Sequence, residues 1–122
     1  MTGAVMISWG AGVPGREAKG LEVFGKALAH YDDLAKQGRI HGHREYFALT
    51  GNVGERGGFM VIDGELDELL KIQIEPDTIK LLTEADAIVS NFTVTICAGG
   101  TESAVQEQVG MFTEALSGLG YM

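Results

Sequence analysis

The chain has little cysteine and little proline, and each scarcity excludes certain classes of protein. The one cysteine, Cys97, rules out a disulfide within the chain and is typical of a reducing compartment. Only two prolines occur among 122 residues that are 45% hydrophobic, so neither a proline-rich linker nor a disordered tail is expected. A chain of this length has room for one domain with a modest core, which we place over residues 1–122.

Basic residues and long apolar runs are also scarce. Nine Lys and Arg residues stand against seventeen Asp and Glu residues, so the formal net charge is −8 and the pI is about 4.7. This acidity argues against tight binding to a nucleic-acid backbone. The N-terminus lacks the basic region of a signal peptide, and no apolar run is long enough to span a bilayer. We therefore expect a cytoplasmic protein that binds neither nucleic acid nor a membrane.

The hydrophobic pattern predicts strand–helix–strand, a glycine-rich turn, strand–helix–strand and a final helix. Ala4–Trp9 and Gly58–Ile62 are apolar on both faces, which is typical of central strands. Apolar residues at helical spacing predict a first helix, in which Leu21, Phe24, Leu28, Tyr31 and Leu34 form one face. The other predicted elements are a strand over Arg39–Leu49, a helix over Leu66–Gln73, a further segment from Pro76, a strand over Asn91–Cys97, and a last helix marked by Val105, Val109, Phe112, Leu116 and Leu119.

The short turn at Thr50–Gly57 decides the topology. A doubly wound fold would need a helical crossover at this point, and the turn is too short to supply one. Right-handed split crossovers then give an antiparallel sheet with strands one and three in the middle. The predicted fold class is therefore α+β, a ferredoxin-like β-α-β-β-α-β sheet with an additional C-terminal helix.

The predicted sheet has more apolar surface than its own helices can cover. Two helices cover one face, so the apolar residues on the other face of strands one and three must meet something else. The terminal helix could fold over that face, but the sheet of a second copy is the simpler cover. We therefore expect a homodimer that forms a dimeric α/β barrel with a cavity. The C-terminal helix would pack on the partner or close the pocket.

Three stretches of the chain carry a family resemblance. They are Ala27–Leu34 with Gly38–Ile40, then Gly57–Asp63, and Leu66–Leu69. In these stretches the chain resembles the YCII-related proteins of the dimeric α/β-barrel superfamily. The resemblance implies a homodimer with a pocket between helix and sheet. It also implies that the histidine of the first helix, which is His30 here, is a candidate active-site residue.

The position of His30 allows two interpretations. The residue lies on the flank of the first helix, near Val23 and Leu34, and not at the centre of the apolar stripe. An imidazole there can act as a general acid or base at the rim of a pocket. It can equally pack its ring and form a hydrogen bond to a neighbour. We carry His30 as the candidate catalytic residue, with no defined reaction.

His41, His43 and Glu45 occupy alternate positions of the second strand, so their side chains should share one face. Neighbours along that face are about 6.5–7 Å apart, a span that two imidazoles can close around one metal ion. A His-x-His pair with a carboxylate supplies three ligands and leaves a position open for water or substrate. We therefore treat these residues as a candidate site for a divalent metal. The same pattern also fits a polar edge strand that faces water.

The loop Gly10–Gly15 spells the dinucleotide-binding pattern of glycines between a strand and a helix. The hairpin between strands two and three removes the βαβ context that the motif requires, and Pro14 removes a donor where the phosphate would bind. We therefore identify no cofactor here and interpret the loop as a mobile segment that could gate a pocket. Cys97 is interpreted as a buried small apolar residue.

Three functions remain open from the sequence. The first is a homodimer that binds an unknown small molecule, with or without catalysis, in an apolar pocket lined by His30. The second is a metal-binding protein that uses His41, His43 and Glu45. The third is a non-catalytic interaction module whose dimer surface and last helix bind a partner. No cofactor motif favours a particular reaction, so whether the protein is an enzyme stays open.

Overall fold

The computed structural model describes residues 1–121, which form four strands and four helices in the predicted order. The elements are β1 (Thr2–Trp9), α1 (Glu17–Lys36), β2 (Gly42–Phe47), β3 (Gly58–Glu65), α2 (Leu66–Gln73), α3 (Pro76–Asp86), β4 (Thr93–Ala98) and α4 (Glu102–Gly118). No helix in this part of the chain is long and apolar enough to cross a membrane.

The strand β2 is shorter than the predicted Arg39–Leu49. It begins at a later residue than predicted because the end of α1 extends through this segment. Gly38 adopts a φ of 74°, and the amide of Arg39 still donates to the carbonyl of Leu34. Ile40 then packs into the core before the strand begins, and Leu49 lies beyond its end with 92% of its surface exposed. Both residues are apolar, but neither belongs to the pleated sheet.

The four strands form one antiparallel sheet in the order β2-β3-β1-β4. Met6 in β1 pairs with Val61 on one side and with Thr95 on the other, so β1 and β3 are central, as predicted. This topology confirms the ferredoxin-like α+β fold. Because the strands described in residues 1–121 include no parallel pair, the loop after β1 lacks the context of a dinucleotide-binding motif.

The core lies between the sheet and the helices α1 and α2. Alternation along the central strands places Val5, Ile7, Met60 and Ile62 on the covered face, and each is at most 5% exposed. Their partners in the helices are Val23, Tyr31 and Leu34 of α1 and Leu69 and Ile72 of α2. Burial of apolar side chains of this size contributes about 1.5–3 kcal/mol each, so this layer is the main source of stability.

The opposite face of the sheet is only partly covered. Met6, Phe59 and Val61 lie on this face and are half-buried. Tyr46 stacks on Phe59 with ring centroids 5.0 Å apart and remains 44% exposed. The central strands are therefore apolar on both faces, as predicted, but only the face under the helices is fully buried. We call the surface formed by Met6, Tyr46, Phe59 and Val61 the open face.

The helix α4 is attached to the domain through its first turn. The hydroxyl of Thr101 accepts a hydrogen bond from the amide of Ala104 (3.1 Å) and lies 3.0 Å from the hydroxyl of Thr2. Ala104 is the one buried residue of α4, whereas Val109 and Phe112 are 53% and 64% exposed. The helix therefore extends from the domain with most of its apolar surface in contact with solvent.

Candidate functional site

A cavity of about 360 Å³ lies between α1, α3 and the covered face of the sheet. Among its lining residues, all from the described chain, only Arg16 and Glu17 carry a charge, and none belongs to α4. The apolar lining consists of Ile7, Trp9, Leu21, Val23, Phe24, Ala27, Tyr31, Phe47, Met60, Leu81, Leu82, Ala85, Ile88, Val89 and Phe92. A cavity of this size and lining is typical of small-molecule sites.

Three aromatic rings from three elements border the mouth of the cavity. Trp9 ends β1, Phe24 lies in α1 and Phe47 ends β2. Their ring centroids are 6.1, 6.3 and 5.6 Å apart, in edge-to-face or tilted arrangements that aromatic rings favour. Phe47 is 61% exposed although it lines the cavity, so the cavity opens to solvent at this end.

The glycine-rich loop after β1 forms one wall of the cavity and is anchored. The amides of Gly10 and Val13 donate to the carbonyls of Ser90 and Ile88, at 2.7 and 2.9 Å. A side chain at Gly10 would also bring its Cβ within 2.4 Å of the Gly54 carbonyl oxygen, so only glycine fits there. Backbone hydrogen bonds therefore hold the first half of this loop against segment 88–90, and the mobile gate stays a prediction.

Tyr31 connects the cavity to buried polar groups between the helices. Its ring lines the cavity and is fully buried. Burial raises the pKa of the Tyr31 hydroxyl to about 12, while the Gln73 side-chain amide acts in the opposite direction. Neither the hydroxyl nor the amide forms a well-aligned hydrogen bond to any residue within 1–121. Buried groups of this kind are usually satisfied by an internal water.

His30 lies beside the cavity and does not line it. Its ring packs edge-on against Tyr31 with centroids 5.0 Å apart, and Nε2 lies 2.9 Å from Oγ1 of Thr78 in α3. Its outer side borders a shallow depression lined by Lys26, Asp77, Lys80, Leu81 and Glu84. Burial lowers the pKa of His30, against the opposing effect of nearby carboxylates. This environment favours a neutral imidazole, and a catalytic role for His30 stays a prediction.

His43 lies between two carboxylates from different elements. Its Nδ1 is 2.6 Å from Oε2 of Glu45 on the same strand, and its Nε2 is 2.6 Å from Oδ1 of Asp32 in α1. The His43 side chain is only 10% exposed. Burial lowers the pKa of His43, but the hydrogen bonds with Glu45 and Asp32 outweigh this effect and raise it above the usual value. When protonated, the ring can donate to both carboxylates and so links the edge strand β2 to α1.

The structure brings together two of the three predicted metal ligands. His43 and Glu45 share a face of β2, and α1 covers that face. The interpretation of β2 as a polar edge strand that faces water therefore does not hold for His43, whose side chain is 10% exposed. His41 precedes the strand, is 57% exposed and lies 3.7 Å from a carboxylate oxygen of Glu65. Within residues 1–121, no group of three or more His, Cys, Asp or Glu side chains is arranged to hold a metal ion. The His41–His43–Glu45 site stays a prediction, which metal analysis of untreated protein would test.

Sequence reasoning missed two parts of this region. The aromatic group at the cavity mouth combines residues from distant elements, although Trp9 and Phe47 both lie at strand ends beside loops, where binding residues concentrate. Asp32 is the other omission. It meets His43 only because α1 packs across β2, and no local pattern distinguishes it from the neighbouring Asp33.

Comparison with known proteins supports the fold. No protein-family model matches the chain, and no curated protein matches it. One similar solved structure is a dimeric protein of unknown function with a ferredoxin-like fold from Bacteroides fragilis, with a TM-score of 0.58, 7% identity, and coverage of 78% of this chain and 93% of that chain. Another is a dimeric ferredoxin-like protein of unknown function from Thermobifida fusca, with a TM-score of 0.57, 16% identity, and coverage of 78% and 89%. At these identities the similarity establishes the ferredoxin-like fold and does not confirm the YCII family name.

Proposed function

We propose that this protein is a YCII-like homodimer that binds an apolar small molecule in the cavity between α1, α3 and the sheet. The observation that carries the proposal is the cavity itself, whose volume of about 360 Å³ lies within the range of ligand sites. Such sites combine a large apolar wall with a few polar groups that orient the ligand. Arg16 and Glu17 are the charged groups available for that purpose here.

The lining favours a ligand that carries an aromatic ring and few polar atoms. Each Å² of apolar surface removed from water contributes about 25 cal/mol, whereas a polar group buried without a partner opposes binding. Trp9, Phe24 and Phe47 offer ring surfaces at the mouth, and the deeper wall is aliphatic. The ionisable groups of the described lining are those of Arg16, Glu17 and Tyr31, so the geometry supports binding and favours no particular reaction.

A second copy of the chain is the expected cover for the open face. Sheet-on-sheet packing would bury Met6, Phe59 and Val61, which are half-buried in the single chain. The two similar structures from Bacteroides fragilis and Thermobifida fusca are dimeric proteins, and the resemblance to YCII-related proteins implies the same assembly. The proposal therefore includes a homodimer in which the open faces of two sheets pack together.

Trp9 makes occupancy of the cavity measurable because it is the only tryptophan of the chain and lines the cavity. N-phenyl-1-naphthylamine is a neutral aromatic probe that accepts excitation energy from indole. Titration with this probe should quench the emission of Trp9 in a saturable manner, with one probe bound per chain. Quenching that does not saturate would contradict the proposal.

Two glycines of α1 provide a matched pair of variants. Gly20 lines the cavity, where an added Cβ would lie 3.6 Å from Cδ1 of Ile88, whereas Gly25 is exposed with no atom within 4 Å of such a Cβ. Gly20→Leu should occupy the cavity and weaken probe binding by about tenfold or more. Gly25→Leu should leave probe binding unchanged while giving the same gain in helix propensity. Equal effects of the two variants would show that the probe binds elsewhere.

A further inference from the structure

The last helix and the residue after it carry an apolar stripe that is largely exposed in the single chain. Val105, Val109, Phe112 and Leu119 are 48%, 53%, 64% and 70% exposed, and Leu116, which lies between them, is half-buried. These five residues are separated alternately by four and three positions. This is the a/d spacing of a coiled-coil seam, which is narrower than the stripe of a helix that packs on a sheet.

We infer that α4 pairs with α4 of a second copy of this chain along this seam. The charges beside the seam support a second copy as the partner. The e and g positions hold Gln106, Gln108, Thr113 and Ala115, none of which is charged. Glu107 and Glu114 occupy f positions, on the side of the helix away from the seam. Acidic flanks would add local repulsion between two chains that each carry a net charge of −8, and the neutral flanks avoid this addition.

The attachment of α4 leaves most of the seam exposed to solvent in the single chain. Ala104 and the cap at Thr101 anchor the first turn, and in the following turns Val109 and Phe112 are more than half exposed and can contact another chain. A helix of this length forms a weak coiled coil by itself, so the seam adds to the contact between open faces and does not replace it. The inference rests on the homodimer of the proposed function for its second copy and is independent of the cavity.

Sedimentation velocity of the full chain over a range of concentrations tests the seam. Phe112→Glu should raise the dimer dissociation constant about a hundredfold or more, because it places an unpaired charge in an apolar contact. Met111→Glu is the matched control, since Met111 is 47% exposed, adjacent in sequence and outside the seam. Both side chains are exposed in the single chain, so both variants should retain the circular dichroism and thermal unfolding of the native chain. A dimer that survives Phe112→Glu, or that both variants weaken equally, would overturn the seam.

A charge-exchange experiment tests whether α4 contacts its own copy. Phe112→Glu and Phe112→Lys chains should each dissociate alone and associate when mixed, because the opposite charges then meet across the seam. Failure of the mixture to associate would mean that α4 docks on another part of the partner, which contradicts self-pairing.

Val61→Glu on the open face separates the seam from the dimer of the proposed function. If Val61→Glu dissociates the dimer and Phe112→Glu does not, the open face forms the dimer and the seam is wrong. If both variants dissociate the dimer, both surfaces contribute, as inferred. If the unmodified chain is a monomer, both the seam and the homodimer fail, while probe binding in the cavity is tested separately.

Discussion

The contact of His43 with its two carboxylates should make the protein less stable as the pH rises above 6.5. Both ring nitrogens lie 2.6 Å from carboxylate oxygens, and only the protonated ring can donate to both. When the ring loses a proton, one of its nitrogens becomes an acceptor. That nitrogen then lies against a carboxylate oxygen, which is also an acceptor, and the hydrogen bond between them is lost. Either alkaline pH or the replacement His43→Leu therefore removes this link between α1 and β2.

The burial of the two carboxylates sets the size of the loss in unfolding free energy that we expect for His43→Leu. Glu45 is 20% exposed, so its charge-assisted hydrogen bond to His43 should contribute about 1.5–3 kcal/mol. Asp32 is 60% exposed, so solvent screening limits its contribution to about 0.2–1 kcal/mol. The cost of burying the charged ring offsets part of this sum, and we expect a net loss of about 2 kcal/mol for His43→Leu. With a urea m-value of about 1.5 kcal/mol/M, the unfolding midpoint should fall by about 1.3 M.

The direction of the pH dependence follows from the pKa shifts. The pKa of His43 is raised, so its stabilisation is fully present below the ordinary histidine value of 6.5 and is lost as the pH rises through the folded pKa. The slope can reach about 1.4 kcal/mol per pH unit for one proton. The pKa of His30 is lowered, so its contribution is present above 6.5 and is lost as the pH falls through its folded pKa. The two histidines together should therefore give a stability maximum near pH 6.5.

Urea unfolding at closely spaced pH values from about 5.5 to 9 measures this dependence. The decline above pH 6.5 should be present in the unmodified chain and absent in His43→Leu. Glu45→Gln should destabilise the fold more than Asp32→Asn, since the Glu45 side chain is the more buried of the two. NMR titration should show His43 releasing its proton above pH 6.5. A stability that stays flat or rises between about pH 6.5 and 8.5, or a larger effect of Asp32→Asn, would refute the reasoning.

Two further predictions concern the fold that supports the cavity, and both use thermal and urea unfolding. Gly10→Ala should destabilise the protein by about 2 kcal/mol or more, because its Cβ would lie 2.4 Å from a backbone carbonyl oxygen. Gly12→Ala, in the same loop with no atom within 4 Å, is the control, and equal losses would contradict the close approach. Leu69→Ala should cost about 2–5 kcal/mol because Leu69 is fully buried. Leu70→Ala, at a residue 48% exposed, should cost far less, and a similar loss at both positions would show that the core is placed wrongly.

The fold was predictable where the pattern within one element was unambiguous. The bounds of Leu66–Gln73 are as predicted because its acidic start follows a strand and its apolar residues recur at helical spacing. The ends of β2 were predicted wrongly because Ile40 and Leu49 are apolar for reasons unrelated to the sheet. Ile40 packs into the core from the preceding turn, and Leu49 lies exposed in the following loop.

The candidate site was predictable only in part. Alternation along β2 correctly placed His43 and Glu45 on one face. It could not show that His41 lies before the strand, or that Asp32 of α1 occupies the other side of the His43 ring. Position on the flank of α1 identified His30 as a residue near a pocket, yet its neighbour Tyr31 is the one that lines the cavity.

By itself, the sequence determined the order of the elements, the antiparallel topology and the acidic character of the chain. Each of these depends on residues that are close in sequence, on chain length between strands, or on composition. The tertiary structure decided the walls of the cavity, the partners of His43 and the exposure of the α4 stripe. These features depend on how whole elements pack against one another, which is set by the shapes of side chains far apart in sequence and leaves no periodic trace within any one segment.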